Sequence, residues 1–193
     1  MKALLPLLLL AAPAIAQEPP RVLPSRDVTI VYHLAGDASH AIPGGASGDL
    51  LVSWRAGQQR LRVEPEGRSQ VLLVDLGAGS VQVMDSGLRT AMSLPVRPGD
   101  LQPLKLQGAH FTRRGRASVA GRDCTEYAVQ SSRGRGTVCF TEDGVALRAS
   151  GEVNGRAGSF TATSVTYDGV NPSLFQVPPG YVQLAIPRTG PTQ

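Results

Sequence analysis

Two cysteines, Cys124 and Cys139, offer the most specific chemistry in this chain, and it contains no other cysteine. Thiolates can bind a metal, exchange electrons or join as a disulfide. A zinc site needs further ligands at regular intervals, and His33, His40 and His110 show no such spacing. A redox pair is more typically the closely spaced C-x-x-C. The cysteines therefore favour a structural disulfide, provided that the chain reaches an oxidising compartment.

The first residues of the chain indicate such a compartment. Lys2 precedes a short apolar run, and Ala14–Ala16 supplies the small residues at which a signal peptidase cleaves. We expect a signal peptide over residues 1–16, a mature protein that begins near Gln17, and a periplasmic location. That start lacks a cysteine, the acceptor for a bacterial lipid anchor. No later segment is apolar enough to predict a transmembrane helix.

Hydrolytic chemistry has little support in the sequence. A serine hydrolase needs a nucleophile, a base and an orienting acid, and the G-x-S-x-G signature is absent. Glu142 and Asp143 form a carboxylate pair, but they belong to the stretch TEDG, where Asp before Gly has a conformational role. The sequence also lacks a phosphate loop, a dinucleotide fingerprint and a zinc motif. We expect a protein that is not an enzyme and that needs no cofactor or metal ion.

A basic segment, HFTRRGR, spans residues 110–116 and includes Arg113, Arg114 and Arg116. We favour its interpretation as a solvated strand edge, where charge discourages pairing with other chains. The alternative is a patch that contacts the anionic groups of a lipid or a polysaccharide. Nucleic acid is not an expected partner, because the chain is predicted to be exported and lacks the interleaved aromatics of single-strand binders.

Short strands are the elements that must position these residues. Val, Thr and Gly are frequent in the middle of the chain and turn signals recur at short intervals, which is typical of an antiparallel all-β domain. Alternate residues from Val28 to Leu34 fall on one face of a predicted strand. The stretch GAGS at 77–80 predicts a hairpin loop. Helix signals are scarce, and the best of them, at 97–109, contains prolines that keep any helix short.

Two hairpins in the C-terminal half have registers that the sequence predicts. If Cys124 lies opposite Cys139, the turn falls at Ser131-Ser132. The cysteines then lie on the polar face of that hairpin, and the predicted core lies on the other face. The predicted bridge contributes about 3 kcal/mol in the chain-entropy model.

The second hairpin turns at Asn154-Gly155, a strong signal for a two-residue loop. Its register places Leu147 opposite Ala162. The turn TEDG joins the two hairpins, so that four strands follow one another in up-and-down order.

Three stretches carry a family resemblance: VAGRDCTEYAV at 119–129, GTVCFTEDGVALR at 136–148 and NPSLFQVPPGYVQL at 171–184. They resemble bacterial periplasmic proteins of the LolA/LolB-like superfamily, nearest to the uncharacterised DUF4412 type. The resemblance covers about Phe111 to Leu184 by motif and the N-terminal half by strand pattern. It implies an unclosed antiparallel β-barrel, short helices as a lid, and an apolar cavity that accepts acyl chains.

We therefore expect an all-β fold with minor α structure: an open, strongly curved antiparallel sheet of up-and-down strands with a short helical lid. The domain should span residues 27–187, between a flexible mature N-terminus at 17–26 and a flexible tail at 188–193. Because helix is too scarce to cover a large concave face, side chains or a ligand must fill it. The candidates that line a ligand cavity are residues on predicted strand faces: Tyr32, Trp54, Tyr127, Val129, Phe140, Leu147 and Phe160.

Two functions are compatible with this fold. The first is a periplasmic binding protein for a lipid or another amphiphile, linked to lipid or lipoprotein handling, with Arg113, Arg114 and Arg116 near an anionic group. The second is a secreted interaction module, such as an inhibitor of an envelope hydrolase, that acts through exposed loops such as Gly36 to Gly48. A large solvent-reachable apolar cavity favours the first, and a sealed core with protruding loops favours the second.

Overall fold

The computed structural model describes residues 18–37, 48–97, 100–101, 104 and 106–185. The predicted signal peptide, most of the Gly36 to Gly48 loop and the tail at 188–193 lie outside these residues. Within them, no helix is long and apolar enough to cross a membrane. The strands are β1 Val28–Gly36, β2 Gly48–Arg55, β3 Arg60–Pro65, β4 Gln70–Asp75, β5 Ser80–Asp85, β6 Thr90–Leu94, β7 His110–Val119, β8 Arg122–Ser131, β9 Gly134–Phe140, β10 Ala146–Val153, β11 Arg156–Thr166 and β12 Val182–Leu184.

Two up-and-down runs of strands build one 12-stranded sheet. Strands β1 to β6 follow one another in space, as do β7 to β11, and an antiparallel pair between β1 and β11 joins the two runs. The short strand β12 adds to β6 in the parallel sense, and β7 forms the opposite edge of the sheet. The sheet is strongly curved and its described strands do not close into a barrel. The prediction of an open, curved all-β sheet is therefore confirmed.

Alternate residues of β1 are buried on one face of the sheet, which we call the inner face. Val28, Ile30 and Leu34 are buried on it, as predicted. The antiparallel register places Trp54 of β2 opposite Val28, so the same apolar face continues into the next strand. We call the end of the sheet at Val28 and Trp54 the base, and the end at Gly36 the rim.

The described part of the N-terminal stretch packs against the base. Leu23 contacts the main core, and the Trp54 indole N–H donates a 2.8 Å hydrogen bond to the Pro24 carbonyl. The Ser25 amide donates to the Asp143 carbonyl at 2.8 Å. Within the stretch predicted to be flexible, residues 17–26, the residues Leu23, Pro24 and Ser25 thus contact the sheet. The domain limits themselves stay a prediction.

Two further segments cover the sheet. The connection from β6 to β7 runs from the base to the rim, and its residues Val96 and Leu101 pack against the main core. The short helix predicted at 97–109 falls partly outside the described residues, and the described ones form turns. On the outer face, Val177 and Tyr181 of the C-terminal segment pack against a buried cluster of β4 to β6. The Arg62 guanidinium fixes this segment by donating to the Leu174 carbonyl at 2.7 Å.

The Cys124–Cys139 disulfide is present, with Cα atoms 5.5 Å apart. The predicted register is wrong by two residues, because Glu126 lies opposite Cys139 and the bridge runs diagonally. The turn falls at Ser132-Arg133 instead of one residue earlier. The Ser131 hydroxyl explains this difference, since it accepts from the Arg133 amide at 3.2 Å and so favours the later turn.

The predicted polar environment of the cysteines is also wrong. Cys124 and Cys139 are 4% and 1% exposed, and both belong to the main core together with Val119 and Val145. The reason is the curvature at the base, where the β7–β8 hairpin approaches β11 and the Arg122 guanidinium donates to the Val165 carbonyl at 3.4 Å. The prediction from sequence treated the hairpin as flat, so it did not include this contact between the β7–β8 hairpin and β11.

Candidate ligand-binding face

The register places all the predicted cavity residues on the inner face. Val129, Phe140 and Leu147 share it because each lies two residues along its strand from a residue that is on that face. The cross-strand pairs that carry the inner face from one strand to the next are Val28–Trp54, Leu34–Phe160, Phe160–Ala149, Ala149–Val138 and Val138–Tyr127.

These residues divide by their exposure. Trp54, Phe140 and Leu147 are 3%, 3% and 0% exposed, so at the base the inner face is filled by the protein's own side chains. Tyr127, Val129 and Phe160, as well as Tyr32, are only half-buried. On β8 to β11 the inner face is therefore packed at the base and only half-buried toward the rim. On β1 to β3 it stays buried toward the rim, where Leu34, Leu50, Val52 and Val63 form a second cluster against which Tyr32 and Phe160 pack.

Tyr32 lies at the boundary between these two parts. Its hydroxyl donates to the Ala146 carbonyl at 2.8 Å, and its ring meets the Phe160 ring edge to face at a centroid distance of 5.0 Å. Burial raises the pKa of Tyr32, so this phenol stays protonated and keeps its hydrogen bond. The tyrosine thus closes the packed part with a fixed aromatic wall.

A second aromatic group, which we call the aromatic cluster, consists of Phe111, Tyr127 and Phe140. The Phe111 ring lies 6.1 Å from Tyr127 and 6.4 Å from Phe140, with edge-to-face geometry in both pairs. Phe111 pairs with Val129 in the register of β7 and β8 and is half-buried. Phe111 was not among the predicted site residues. The signal for it was present, since it stands between polar residues at the start of the basic strand.

A β-bulge at Arg114 aims two arginines of β7 toward this aromatic cluster. The register between β7 and β8 shifts between Arg113 and Gly115, so that Arg113 lies opposite Tyr127 and Arg116 lies opposite Thr125. Without the extra residue, Arg113 and Arg116 would lie on opposite faces, but the bulge brings both to the inner face. Within the described residues neither arginine forms an ion pair, and both are exposed. β7 is an edge strand, as the favoured interpretation of the basic segment predicted.

A row of glycines crosses the inner face next to Val129 at the rim. Gly36, Gly158, Gly151 and Gly136 lie opposite one another on four adjacent strands. A Cβ atom at Gly136 or Gly151 would collide with the carbonyl oxygen of the neighbouring strand, so the strands bend too sharply here for a side chain. A shallow depression of about 580 Å³ lies on the outer side of this row, because apart from three glycines its lining residues alternate onto the outer face. It contains none of the predicted cavity residues, and it is lined by Ala35, Gly36, Arg135, Ser150, Gly151, Glu152, Ala157, Gly158 and Ser159.

The strongest electrostatic arrangement lies at the base instead. The Asp143 carboxylate accepts hydrogen bonds from Thr141 at 2.6 Å, Arg26 at 2.8 Å and Tyr167 at 3.1 Å. Burial raises the pKa of Asp143, but these hydrogen bonds and the Arg26 charge outweigh it and lower the pKa overall. The Arg26 guanidinium also lies 3.7 Å from the centre of the Tyr167 ring, a cation–π contact. These groups hold the N-terminal stretch to the base.

The sequence pattern had indicated a different role for Asp143, as a residue of the TEDG turn. The turn is present, but the partners of the carboxylate are up to 117 residues away, and no local pattern predicts such contacts. No group of three or more His, Cys, Asp or Glu residues in the described ranges is arranged to hold a metal ion.

No protein-family model and no curated protein sequence matches the chain. Among solved structures, an uncharacterized conserved protein from Thermus thermophilus has a TM-score of 0.53 and 10% identity, over 84% of this chain and 91% of that one. This likeness shows a shared fold.

Two other solved structures are similar over much of the chain. The MucB structure has a TM-score of 0.47 and 16% identity, over 83% of this chain and 60% of MucB, so the chain spans about three fifths of the length of MucB. Lipoprotein LppX from Mycobacterium tuberculosis has a TM-score of 0.45 and 16% identity, over 75% of this chain and 88% of that one. The DUF4412 likeness stays a prediction.

Proposed function

We propose that this protein is a periplasmic, non-enzymatic binding protein that holds an amphiphile against the open part of its inner face. The observation that carries the proposal is the aromatic cluster beside Arg113 and Arg116. The half-buried rings of Phe111 and Tyr127 share one face at this edge of the sheet with two guanidinium groups that form no ion pair within the described residues. An acyl chain with an anionic group matches both parts of this surface.

The apolar part of the ligand would lie along Tyr127, Val129 and Phe160. Each methylene group that leaves water contributes about 0.8 kcal/mol, so a chain of a few carbons on a partly open groove gains useful affinity. The packed base limits how deeply the ligand enters, because Trp54 and Leu147 already fill that region. The site is therefore a groove on the open part of the inner face.

The anionic part of the ligand would meet Arg113 and Arg116. Guanidinium groups form paired hydrogen bonds with carboxylates and phosphates, and these bonds are stronger than those between neutral groups. Arg114 lies in the bulge and positions the other two. We therefore propose that the ligand is an acidic amphiphile, which agrees with the predicted role in lipid or lipoprotein handling.

Displacement of a fluorescent fatty acid by unlabelled oleate tests the proposal. We expect saturable binding to the wild type, weaker binding to Val129→Trp because the indole fills the groove, and weaker binding to Arg113→Ala/Arg116→Ala. Arg135→Ala is the matched control, since this exposed arginine lies opposite Gln130 on the outer face. If neither oleate nor any envelope lipid binds saturably, the amphiphile proposal fails, and the interaction module that acts through Gly36 to Gly48 takes its place.

The periplasmic location rests on the predicted signal peptide. Intact-mass measurement of protein from envelope extract should give a mature chain that begins at Gln17. A full-length mass with Met1 retained would contradict this part of the proposal.

A further inference from the structure

We infer that the rim carries a second surface, which docks on an anionic lipid membrane. This surface, which we call the rim tip, consists of the adjacent β8–β9 and β10–β11 turns, and the inference does not depend on the groove. The two turns are held together by a 2.8 Å hydrogen bond from the Asn154 amide to the Arg133 carbonyl. Val153 lies opposite Gly134 in one strand pair and opposite Arg156 in the other.

The apolar element of the rim tip is Val153. Its side chain is 57% exposed at the end of β10, where the strand is about to turn. A single exposed valine is ordinary on a protein surface. Its surroundings make it unusual, because Arg156 lies directly opposite it on β11. Arg133, in the β8–β9 turn, and Arg135, on β9, stand on either side of its other partner, Gly134.

The charge of the rim tip selects the partner. Arg133, Arg135 and Arg156 are exposed and form no ion pair within the described residues. Glu152 is the one acid among residues 131–135 and 152–156, so the tip is positive. An exposed apolar residue at a positively charged strand end fits the interface of an anionic bilayer, where the side chain enters the headgroup layer and the arginines meet phosphates.

The backbone of the tip suits this role. Asn154 and Gly155 both have positive φ angles, 53° and 76°, which form the tight two-residue turn predicted from the sequence. This turn holds Val153 and Arg156 directly opposite each other. Docking therefore requires no rearrangement of the fold.

Co-sedimentation with phosphatidylglycerol/phosphatidylcholine vesicles tests the inference on the full mature chain. We expect binding that falls with rising salt, and a partition coefficient about thirtyfold lower for Arg133→Ala/Arg156→Ala, since each basic residue contributes about a fivefold factor at an anionic surface. Val153→Asp should also reduce binding, and Val153→Trp should increase it. Circular dichroism of each variant establishes that the fold is kept.

Leu88→Asp is the matched control for Val153→Asp. Leu88 is 75% exposed on the β5–β6 turn, which is remote from the rim tip in the strand order, and its substitution should leave vesicle binding within about twofold. Equal loss of binding in Leu88→Asp and Val153→Asp, or binding to pure phosphatidylcholine that is insensitive to salt, overturns the inference. Absence of vesicle binding also overturns the inference, and an acidic protein would then be the expected partner of the rim tip. Oleate displacement by the same variants should be unchanged, so the groove and the rim tip fail independently.

Discussion

The base and the rim of this sheet are built by opposite means. At the base, hydrogen bonds of the Asp143 carboxylate and the Trp54 indole join distant parts of the chain, and a disulfide joins β8 to β9. At the rim, glycines replace side chains, aromatic rings are half-buried, and arginines stand without ion-pair partners in the described residues. The same strands run through both ends, so the difference comes from side chains and from the segments that cover them.

This comparison separates stability from binding. Fully buried apolar contacts and satisfied hydrogen bonds stabilise a fold but offer a ligand no free surface. Half-buried rings and unpaired guanidinium groups stabilise little and keep their contacts available. We therefore expect substitutions at the base to change the free energy of unfolding, and substitutions at the rim to change binding.

The largest expected effect is that of Trp54→Ala. It removes a buried ring and leaves the Pro24 carbonyl without its indole partner, which should lower the free energy of unfolding by about 3–5 kcal/mol. Urea denaturation measures this loss. Phe111→Ala is the comparison at the open end, and because that ring is half-buried its cost should be about 1–2 kcal/mol. Equal losses for the two variants would remove the distinction between base and open face.

Loss of the disulfide should have the next effect. Cys124→Ala/Cys139→Ala should lower the free energy of unfolding by about 3 kcal/mol, because the unfolded chain regains the freedom of the closed loop. The sulfurs are buried in the main core, so two small cavities add to this loss. Alkylation before and after reduction should show no free thiol before and two after. Oleate affinity that falls together with stability would contradict the separation of the two ends.

The glycine row provides a third test. Gly136→Ala should cost about 1–3 kcal/mol, because the added Cβ meets the backbone of β10 and the bend must open. Gly115→Ala is the control within the neighbouring hairpin, since nothing lies within 4 Å of the corresponding Cβ position. Thermal unfolding of the two variants measures the difference. A neutral Gly136→Ala would show that the row does not require glycine.

The smallest expected effect is a pH dependence at the base. The pKa of Asp143 is lower in the folded protein than in the unfolded chain, so its contribution is present above about pH 4 and is lost as pH falls through the folded pKa. The wild type should therefore lose more stability than Asp143→Asn between about pH 5 and pH 2. Glu142→Gln is the matched control, because this exposed neighbour in the same turn forms no hydrogen bond or ion pair with the described residues and should leave the stability curve of the wild type unchanged. Parallel stability curves for the wild type and Asp143→Asn would contradict the role of Asp143.

Strand faces and turns were predictable from local patterns, and three-dimensional closure was not. The alternation from Val28 to Leu34 and the Asn154-Gly155 turn each follow from residues close in sequence. The register at Cys139 was wrong because the Ser131 hydroxyl and the curvature of the base decide it, and a period of two residues cannot distinguish registers that differ by two.

In the candidate site too, local sequence patterns predicted some features, while others depend on residues that are far apart in the chain. Alternation placed the apolar residues on one face. The bulge that aims Arg113 and Arg116 at that face was not predicted, although Gly115 beside it is a residue type that often marks one. The packing that closes the base around Trp54 depends on distant segments.

An amide and indole NMR titration of the protein with oleate tests the central claim most directly. Trp54 is the only tryptophan in the chain, so its indole signal reports on the base alone. We predict saturable shifts of the amides of Phe111, Arg113, Tyr127 and Val129, with the Trp54 indole signal unchanged. Shifts centred on the Trp54 indole and the amides around Leu147, with β7 unaffected, would contradict the account, because the ligand would then enter the packed base instead of the open face.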